Sequence, residues 1–95
     1  MVATFIYFLE IQCWTEKKNS YVGGFAQKKD GTEDKKSYIS LGEAKFLCIS
    51  YESGCNGITE SPKGFSLRIG NEFKDSPSGE TSYLKTPCTS GRIFR

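Results

Sequence analysis

The sequence contains no histidine, so the side chain that most often acts as a general base near neutral pH is missing. Its four cysteines include no Cys-x-x-Cys pair, and without histidine they do not match the usual zinc-binding patterns. Three carboxylates, Asp30, Glu33 and Asp34, lie close together, but the run around them is charged and offers little to bury them. We expect their pKa values to stay ordinary. We therefore predict that the chain is not an enzyme and holds no metal and no cofactor.

No apolar run is long enough to span a bilayer, so we expect no membrane insertion. The longest apolar stretch, Met1–Leu9, is shorter than a typical secretion signal and lacks its basic start. β-Branched and aromatic residues dominate it, which favours a first strand over residues 1–11. A remnant of a signal is the alternative. The remaining residues, 12–95, are predicted to form one domain.

A strong excess of one charge is also missing, since the formal net charge is only +2. Lysine pairs at positions 17–18, 28–29 and 35–36 could suggest a nucleic acid or heparin partner. Acidic side chains stand among them and cancel most of their field: Glu16, Asp30, Glu33 and Asp34. We expect a solvated surface and no nucleic acid partner.

Four cysteines and ten glycines are what the sequence has instead. A chain of 95 residues buries a modest core, so crosslinks would stabilise it usefully. Of the three possible pairings, the spacing favours Cys48 with Cys55, which would join neighbouring elements, and Cys13 with Cys88, which would clamp the two ends. The loop-entropy model assigns these bridges about 2.5 and about 4.5 kcal/mol. Such bridges imply an oxidising compartment, so we expect a secreted or extracellular protein.

Two strands are predicted before the helix, over Phe5–Trp14 and Tyr21–Gln27, with a turn at Lys18–Ser20 between them. The polar run Lys28–Ser37 has few apolar residues and is typical of an exposed loop.

The clearest helix follows this loop. Ser40 and Glu43 match a capping box, which marks the beginning of a helix that should end near Tyr51. Apolar residues recur on one side at helical spacing: Leu41, Ala44, Leu47, Cys48 and Tyr51.

The rest of the chain is predicted to be β-structure. Strands are expected over Cys55–Glu60, Phe65–Ile69 and Thr81–Lys85, with a turn at Ser61–Gly64 and a longer loop at Asp75–Gly79. The predicted fold class is therefore α+β, with a single short helix packed on an antiparallel sheet of about five strands.

Several motifs in order resemble the PAN/apple domain family over roughly residues 12–88. They are Ser-Leu-Gly-Glu-Ala-Lys-x-x-Cys in the helix, Gly-Cys-Asn-Gly-Ile-Thr, Phe-Ser-Leu-Arg-Ile-Gly, and Ser-Pro-Ser-Gly-Glu-Thr-Ser-Tyr-Leu-Lys before Cys88. The resemblance implies a curved sheet with the helix tied to an adjoining strand, which matches Cys48 with Cys55. Linked terminal strands in many members match Cys13 with Cys88. The third disulfide common in the family has no cysteines here.

The resemblance implies a binding module for an extracellular protein or carbohydrate ligand. Contact residues vary within the family, so the candidates come from the strand pattern. If Leu67 and Leu84 face the helix, then Arg68, Tyr83 and Lys85 project from the opposite, exposed sheet face, and arginine and tyrosine are common interface anchors.

Trp14 is the other candidate, because an indole can stack on a sugar ring or a partner side chain. Core packing beside Cys13 is the competing interpretation of Trp14, and an ordinary solvated strand position is that of Arg68. Two further functions stay open. One is a small inhibitor or toxin-like effector acting through Lys28–Ser37 or Asp75–Gly79. The other is a structural part of an extracellular assembly, with a homodimer through Met1–Leu9.

Overall fold

A computed structural model describes residues 12–88 of this chain. The predicted N-terminal strand over residues 1–11, and with it most of Phe5–Trp14, lies outside the described residues. Within them the elements follow one another as β1 (Cys13–Lys18), β2 (Ser20–Tyr21), β3 (Ala26–Gln27), β4 (Glu33–Asp34), β5 (Ser37–Tyr38), α1 (Leu41–Ser50), a 3-10 turn (Glu52–Gly54), β6 (Gly57–Ser61), β7 (Gly64–Arg68), β8 (Lys74–Asp75) and β9 (Thr81–Thr86).

Five of these strands form one antiparallel sheet in the spatial order β1-β9-β6-β7-β5. The helix α1 packs against β5, β6 and β7. The short strands pair separately, β2 with β8 and β3 with β4. The described chain is thus one α-helix on a five-stranded antiparallel sheet, and the predicted α+β class is confirmed.

The helix begins where its sequence indicates. Ser40 is extended, with φ −116° and ψ 138°, and its Oγ accepts a hydrogen bond of 3.0 Å from the Glu43 N–H. This bond satisfies one of the free N–H groups of the first turn. The predicted apolar stripe faces the sheet, where Ala44 and Cys48 are fully buried and Leu41, Leu47 and Tyr51 pack around them.

Two disulfides fix this arrangement. Cys48 at the end of α1 is bonded to Cys55 just before β6, and both residues lie fully inside the core. Cys13 in β1 is bonded to Cys88 after β9, with 5.0 Å between the two Cα atoms. Both pairings favoured by the sequence are confirmed.

The segment Tyr21–Gln27, expected to be one strand, is instead split into β2 and β3. Between them the chain turns at Gly23 and Gly24, and Gly24 takes a left-handed φ of +69°. This turn carries the chain from the outer face of the sheet, where Val22 lies, to the helix side, where Ala26 joins the core.

The outer face of the sheet is not free, which corrects a premise of the sequence analysis. Val22 is fully buried against it, and its N–H donates to Thr59 Oγ1 over 2.9 Å. Ser82 Oγ lies 2.9 Å from the same hydroxyl and donates to the Ser20 carbonyl over 2.9 Å. Gly57 permits this close approach, because a Cβ there would lie 3.2 Å from Val22 Cγ1. The segment around Val22 therefore covers the centre of the face expected to bind.

Candidate functional site

Two of the predicted ligand-binding side chains lie on the wrong side of the sheet for the surface proposed from the sequence. Tyr83 pairs with Ile58 and is 8% exposed, within the core beneath α1. Leu84, expected to face the helix, pairs with Gly57 on the outer face. Because side chains alternate along a strand, Lys85 shares the helix side with Tyr83. The prediction that Tyr83 and Lys85 project opposite the helix is wrong.

Lys85 and Trp14 make their contacts on the helix side of the sheet. Lys85 Nζ donates to the Cys48 carbonyl over 2.9 Å and to the Glu52 carbonyl over 3.2 Å, at the carboxyl end of α1. Burial lowers the pKa of Lys85. Trp14, the cross-strand partner of Lys85, packs against the core, and Lys45 Nζ lies 5.5 Å from its ring centroid. These contacts favour a packing role for Trp14.

Arg68 is the one candidate on the outer face, apart from the other three. Its guanidinium carbon lies 4.5 Å from the centroid of the Phe25 ring, and its Nε donates to Ser66 Oγ over 3.0 Å. Burial lowers the pKa of Arg68. These contacts, with the backbone bridge between the two residues, tie Arg68 to Phe25 just after the turn at Gly23 and Gly24.

Among residues 12–88, the ionisable side chain with the least exposure is that of Asp34, which the sequence analysis placed in an exposed loop. It is 1% exposed. Its Oδ2 accepts hydrogen bonds from the hydroxyls of Tyr38, over 2.6 Å, and Tyr51, over 2.7 Å, and its Oδ1 accepts one of 3.0 Å from the Lys36 N–H. Asp34 therefore ties β4 to β5 and to the end of α1, and Lys28–Ser37 is not an exposed loop throughout.

The expectation of ordinary pKa values for this loop is also corrected. Burial by itself would raise the pKa of Asp34, but the hydrogen bonds from Tyr38, Tyr51 and Lys36 outweigh burial and hold it below the usual range. Burial and the hydrogen bond to Asp34 raise the pKa of Tyr38. The pKa of exposed Asp30 is lowered by hydrogen bonds from Thr32. A carboxylate kept ionised in this way is a hydrogen-bond acceptor and does not suit general acid catalysis.

An open groove of about 320 Å³ lies between the β3–β4 hairpin and the carboxyl end of α1, and Tyr51, which donates to Asp34, is one of its lining residues. We call it the tyrosine groove. It presents one aromatic ring together with amide, ammonium, carboxylate and hydroxyl groups. Its lining residues are Gln27, Lys28, Lys29, Gly31, Tyr51, Glu52, Ser53 and Gly54.

The two walls of the tyrosine groove are held in place by local bonds. On the hairpin side, Asp30 Oδ1 accepts from the Thr32 N–H over 2.9 Å, and the Lys28 N–H donates to the Thr32 carbonyl over 2.8 Å. On the helix side, the Tyr51 hydroxyl is fixed by Asp34. The two walls also touch directly, since a Cβ on Gly54 would overlap the Gln27 carbonyl oxygen. The groove is preorganised, which reduces the entropy that a ligand must lose on binding.

One wall of the groove contains backbone strain. Glu52 has φ +56°, the left-handed region in which glycine is the usual residue. It follows Tyr51, the residue that ends α1, and its carboxylate lies 3.5 Å from Lys29 Nζ across the groove. Both of these charged side chains are exposed, so the ion pair stabilises little. A left-handed residue is common just after a helix end, and glutamate adopts this conformation at a higher cost than glycine.

A second open groove, of about 330 Å³, lies between the β6–β7 turn and the loop after β8. Its charged lining residues are Glu60 and Glu80, and it contains no aromatic ring and no cation. Within residues 12–88 no group of three or more His, Cys, Asp or Glu side chains is arranged to hold a metal ion. No helix in the same range is long and apolar enough to cross a membrane. The tyrosine groove is the site with the more varied chemistry.

Sequence reasoning missed this site. The sequence pattern places Tyr51 in the apolar stripe, near the end of the predicted helix, and it singles out nothing at Glu52. The left-handed conformation of Glu52 could not be read from the sequence, because only some helices end in a left-handed residue and that residue is usually glycine. For Asp34 no local signal exists, since one of its partners, Tyr51, is seventeen residues away.

Comparison with protein-family models, curated proteins and solved structures finds no match to this chain.

Proposed function

We propose that this chain is an extracellular binding module of PAN/apple type that holds a glycan in the tyrosine groove. The two disulfides support the extracellular part, because such bridges persist in oxidising compartments. The helix bonded to the strand beside it and the clamped terminal strands support the PAN/apple part. The proposal assigns the chain no catalytic step and no cofactor.

The composition of the groove supports a sugar ligand. Sugar hydroxyls both donate and accept hydrogen bonds, and the groove offers Gln27 and Glu52 as acceptors and Lys28 as a donor on walls that are already ordered. The apolar face of a sugar ring can pack on an aromatic ring, here that of Tyr51. A binding site that combines one apolar surface with a few fixed polar groups is the usual design for small ligands.

The strain at Glu52 carries the proposal. Glycine at this position would relieve the left-handed conformation, so a stability requirement alone would favour glycine. Glutamate therefore stands here at some cost in stability, and its carboxylate lies at the groove, 3.5 Å from Lys29 Nζ.

Glu52→Gly tests this directly on a glycan array with the oxidised, full-length chain. We expect wild type to bind a defined set of glycans and Glu52→Gly to bind them at least tenfold more weakly. Its melting temperature should be equal to or above that of wild type. Glu72→Gly, which also exchanges an exposed carboxylate for glycine but lies outside the groove, should bind like wild type.

Two results would overturn the proposal. One is that wild type binds no glycan, and a protease panel or a solution assembly assay then addresses the inhibitor and structural alternatives. The other is that Glu52→Gly binds glycans as wild type does, which would show that the groove is not where they sit.

A further inference from the structure

The helix wall of the tyrosine groove is a short loop whose two ends are joined. The wall runs over residues 51–54, and the disulfide between Cys48 and Cys55 closes the chain around it, at a sequence separation of 7. Both cysteines lie fully inside the core. The bridge fixes the ends of the wall, but it does not set the backbone between them, because each residue there keeps two rotatable backbone angles.

Two carbonyls of this loop accept hydrogen bonds from one side chain of the sheet. Lys85 lies in β9, and its own N–H donates to the Asn56 carbonyl over 2.9 Å, which anchors its backbone close to the end of the loop. Its Nζ donates to the Cys48 carbonyl over 2.9 Å and to the Glu52 carbonyl over 3.2 Å. Lys85 therefore connects the beginning of the loop to Glu52, the residue with the left-handed φ.

The bond to Cys48 stabilises the end of α1. The Tyr51 N–H donates to the Leu47 carbonyl, so the Cys48 carbonyl is among the last carbonyls of the helix, which have no N–H partner in a following turn. The last turn of α1 contains no basic side chain of its own. Lys85 supplies a positive charge from the sheet at the helix end where the helix dipole favours one. This bond would be useful to the fold without any groove.

The bond to Glu52 lies beyond the helix and has a different effect. The direction of the Glu52 carbonyl depends on the backbone angles of this residue, so a donor fixed on it favours the observed φ of +56°. The Cys55 N–H donates to the same carbonyl over 3.1 Å. A left-handed residue other than glycine persists where its surroundings hold it, and a hydrogen bond from a charged group can offset its cost. The two donors together hold Glu52 in its strained conformation.

Lys85 and Glu52 also interact through their charges. Burial lowers the pKa of Lys85, and the negative charge of Glu52 partly offsets this effect. On the hairpin wall, Lys29 Nζ lies 3.5 Å from the same carboxylate, but both members of that pair are exposed. An exposed ion pair fixes a side chain weakly. The position of the carboxylate therefore depends more on the backbone that carries it than on Lys29.

We infer that Lys85 is a positioning residue of the tyrosine groove: it holds the backbone of Glu52 so that the Glu52 carboxylate lies at the groove. As far as it concerns glycan binding, the inference rests on the proposed function. Lys85 is not one of the lining residues of the groove, so a bound sugar would respond to its loss only through the wall. This role is indirect, unlike the ligand contact that the sequence predicted for Lys85.

Hydrogen exchange of the oxidised full-length chain tests the inference without a ligand. In Lys85→Met we expect the Cys55 N–H to exchange faster by about fivefold or more relative to the Lys28 N–H on the hairpin wall. Thr59→Val is the control for lost stability, because it removes a buried hydrogen-bond acceptor on the outer face of the sheet. It should change the exchange of both N–H groups alike.

The glycan array then tests the effect on binding. We expect Lys85→Met to bind the glycans of the wild-type set weaker by about fivefold or more, and Thr59→Val to bind them like wild type. In a chain that already carries Glu52→Gly, Lys85→Met should weaken the remaining binding by less than about twofold, because the carboxylate that Lys85 positions is absent.

Two results overturn the inference and leave the proposed function standing. One is relative exchange of the Cys55 N–H that is no faster in Lys85→Met than in Thr59→Val. The other is glycan binding by Lys85→Met that equals that of wild type or of Thr59→Val. A wild-type chain that binds no glycan overturns the proposed function and with it the binding half of the inference, while the exchange measurement still decides whether Lys85 holds the wall.

Discussion

Replacing Asp34 with alanine removes the carboxylate that joins the β3–β4 hairpin to the end of α1. The hydroxyls of Tyr38 and Tyr51 then lose their shared acceptor, and the Lys36 N–H loses its partner. Both walls of the tyrosine groove depend on this carboxylate, directly for Tyr51 and through β4 for the hairpin. The variant therefore measures how strongly the candidate site is tied to the fold.

The loss in the free energy of unfolding can be estimated from these contacts. Hydrogen bonds to a charged group contribute about 1.5–3 kcal/mol each when buried, and Asp34 accepts three bonds while 1% exposed. The two tyrosine rings are only half-buried, so their freed hydroxyls can reach water and recover part of this. We expect the free energy of unfolding to fall by about 3 kcal/mol, a large share of the roughly 5–15 kcal/mol typical of a small domain.

Urea denaturation of the oxidised chain, followed by the fluorescence of its single tryptophan, measures this change. Glu33→Ala is the matched control, since the Glu33 carboxylate is adjacent to Asp34 but exposed. Its removal should change the free energy of unfolding by less than about 0.5 kcal/mol. Combining Asp34→Ala with Tyr51→Phe should cost less than the sum of the two single changes, because both remove the same bond.

The same carboxylate predicts a pH dependence. The folded pKa of Asp34 lies below its unfolded value of about 3.9, so its contribution is complete at neutral pH and is lost as the pH falls below about 4 through the folded pKa. Asp34→Asn should flatten this part of the acid-stability curve. The reasoning is refuted if Asp34→Ala unfolds within about 1 kcal/mol of wild type, or if Asp34→Asn keeps the full acid dependence.

Two further changes test the contacts at the end of α1 and the disulfide that joins the two ends of the domain. Lys85→Met keeps the apolar stem but removes the donor to the two carbonyls at the end of α1, so it should lower the free energy of unfolding by about 1–2 kcal/mol in the same urea assay. The control Lys18→Met, at an exposed position, should have little effect. Equal stability of the two variants would contradict this role of Lys85. Changing Cys13 and Cys88 together to serine opens a loop of sequence separation 75 and should lower the free energy of unfolding by about 4.5 kcal/mol. A loss under about 1 kcal/mol would show that the clamp contributes little.

The features that could be predicted from the sequence are the ones set by neighbouring residues. The beginning of α1 follows from Ser40 and Glu43, three residues apart, and the inner stripe follows from helical periodicity. The pairing of Cys48 with Cys55 follows from their short separation in the sequence, which lets one bridge join neighbouring elements. These signals act between residues close in the chain, and the tertiary contacts of the fold agree with them.

The orientation of β9 could not be predicted because its sequence permits both answers. Tyr83 and Leu84 are adjacent and both apolar, so alternation alone does not say which of them faces the helix. The choice is made by Gly57, across the sheet from Leu84, which leaves room on the outer face for Leu84 and Val22. The tyrosine groove escaped prediction for a related reason, since it depends on contacts between segments that are distant in the chain.

The bridge between Cys13 and Cys88 has a mechanical consequence. A pulling force applied to the chain before Cys13 and after Cys88 passes from one sulfur to the other and does not reach the chain enclosed between them, over a sequence separation of 75. The sheet, the groove and α1 would keep their shape under tension, whether the load arises from flow, from shear or from attachment to a moving surface. Reducing that single bond would transfer the load to the paired strands β1 and β9.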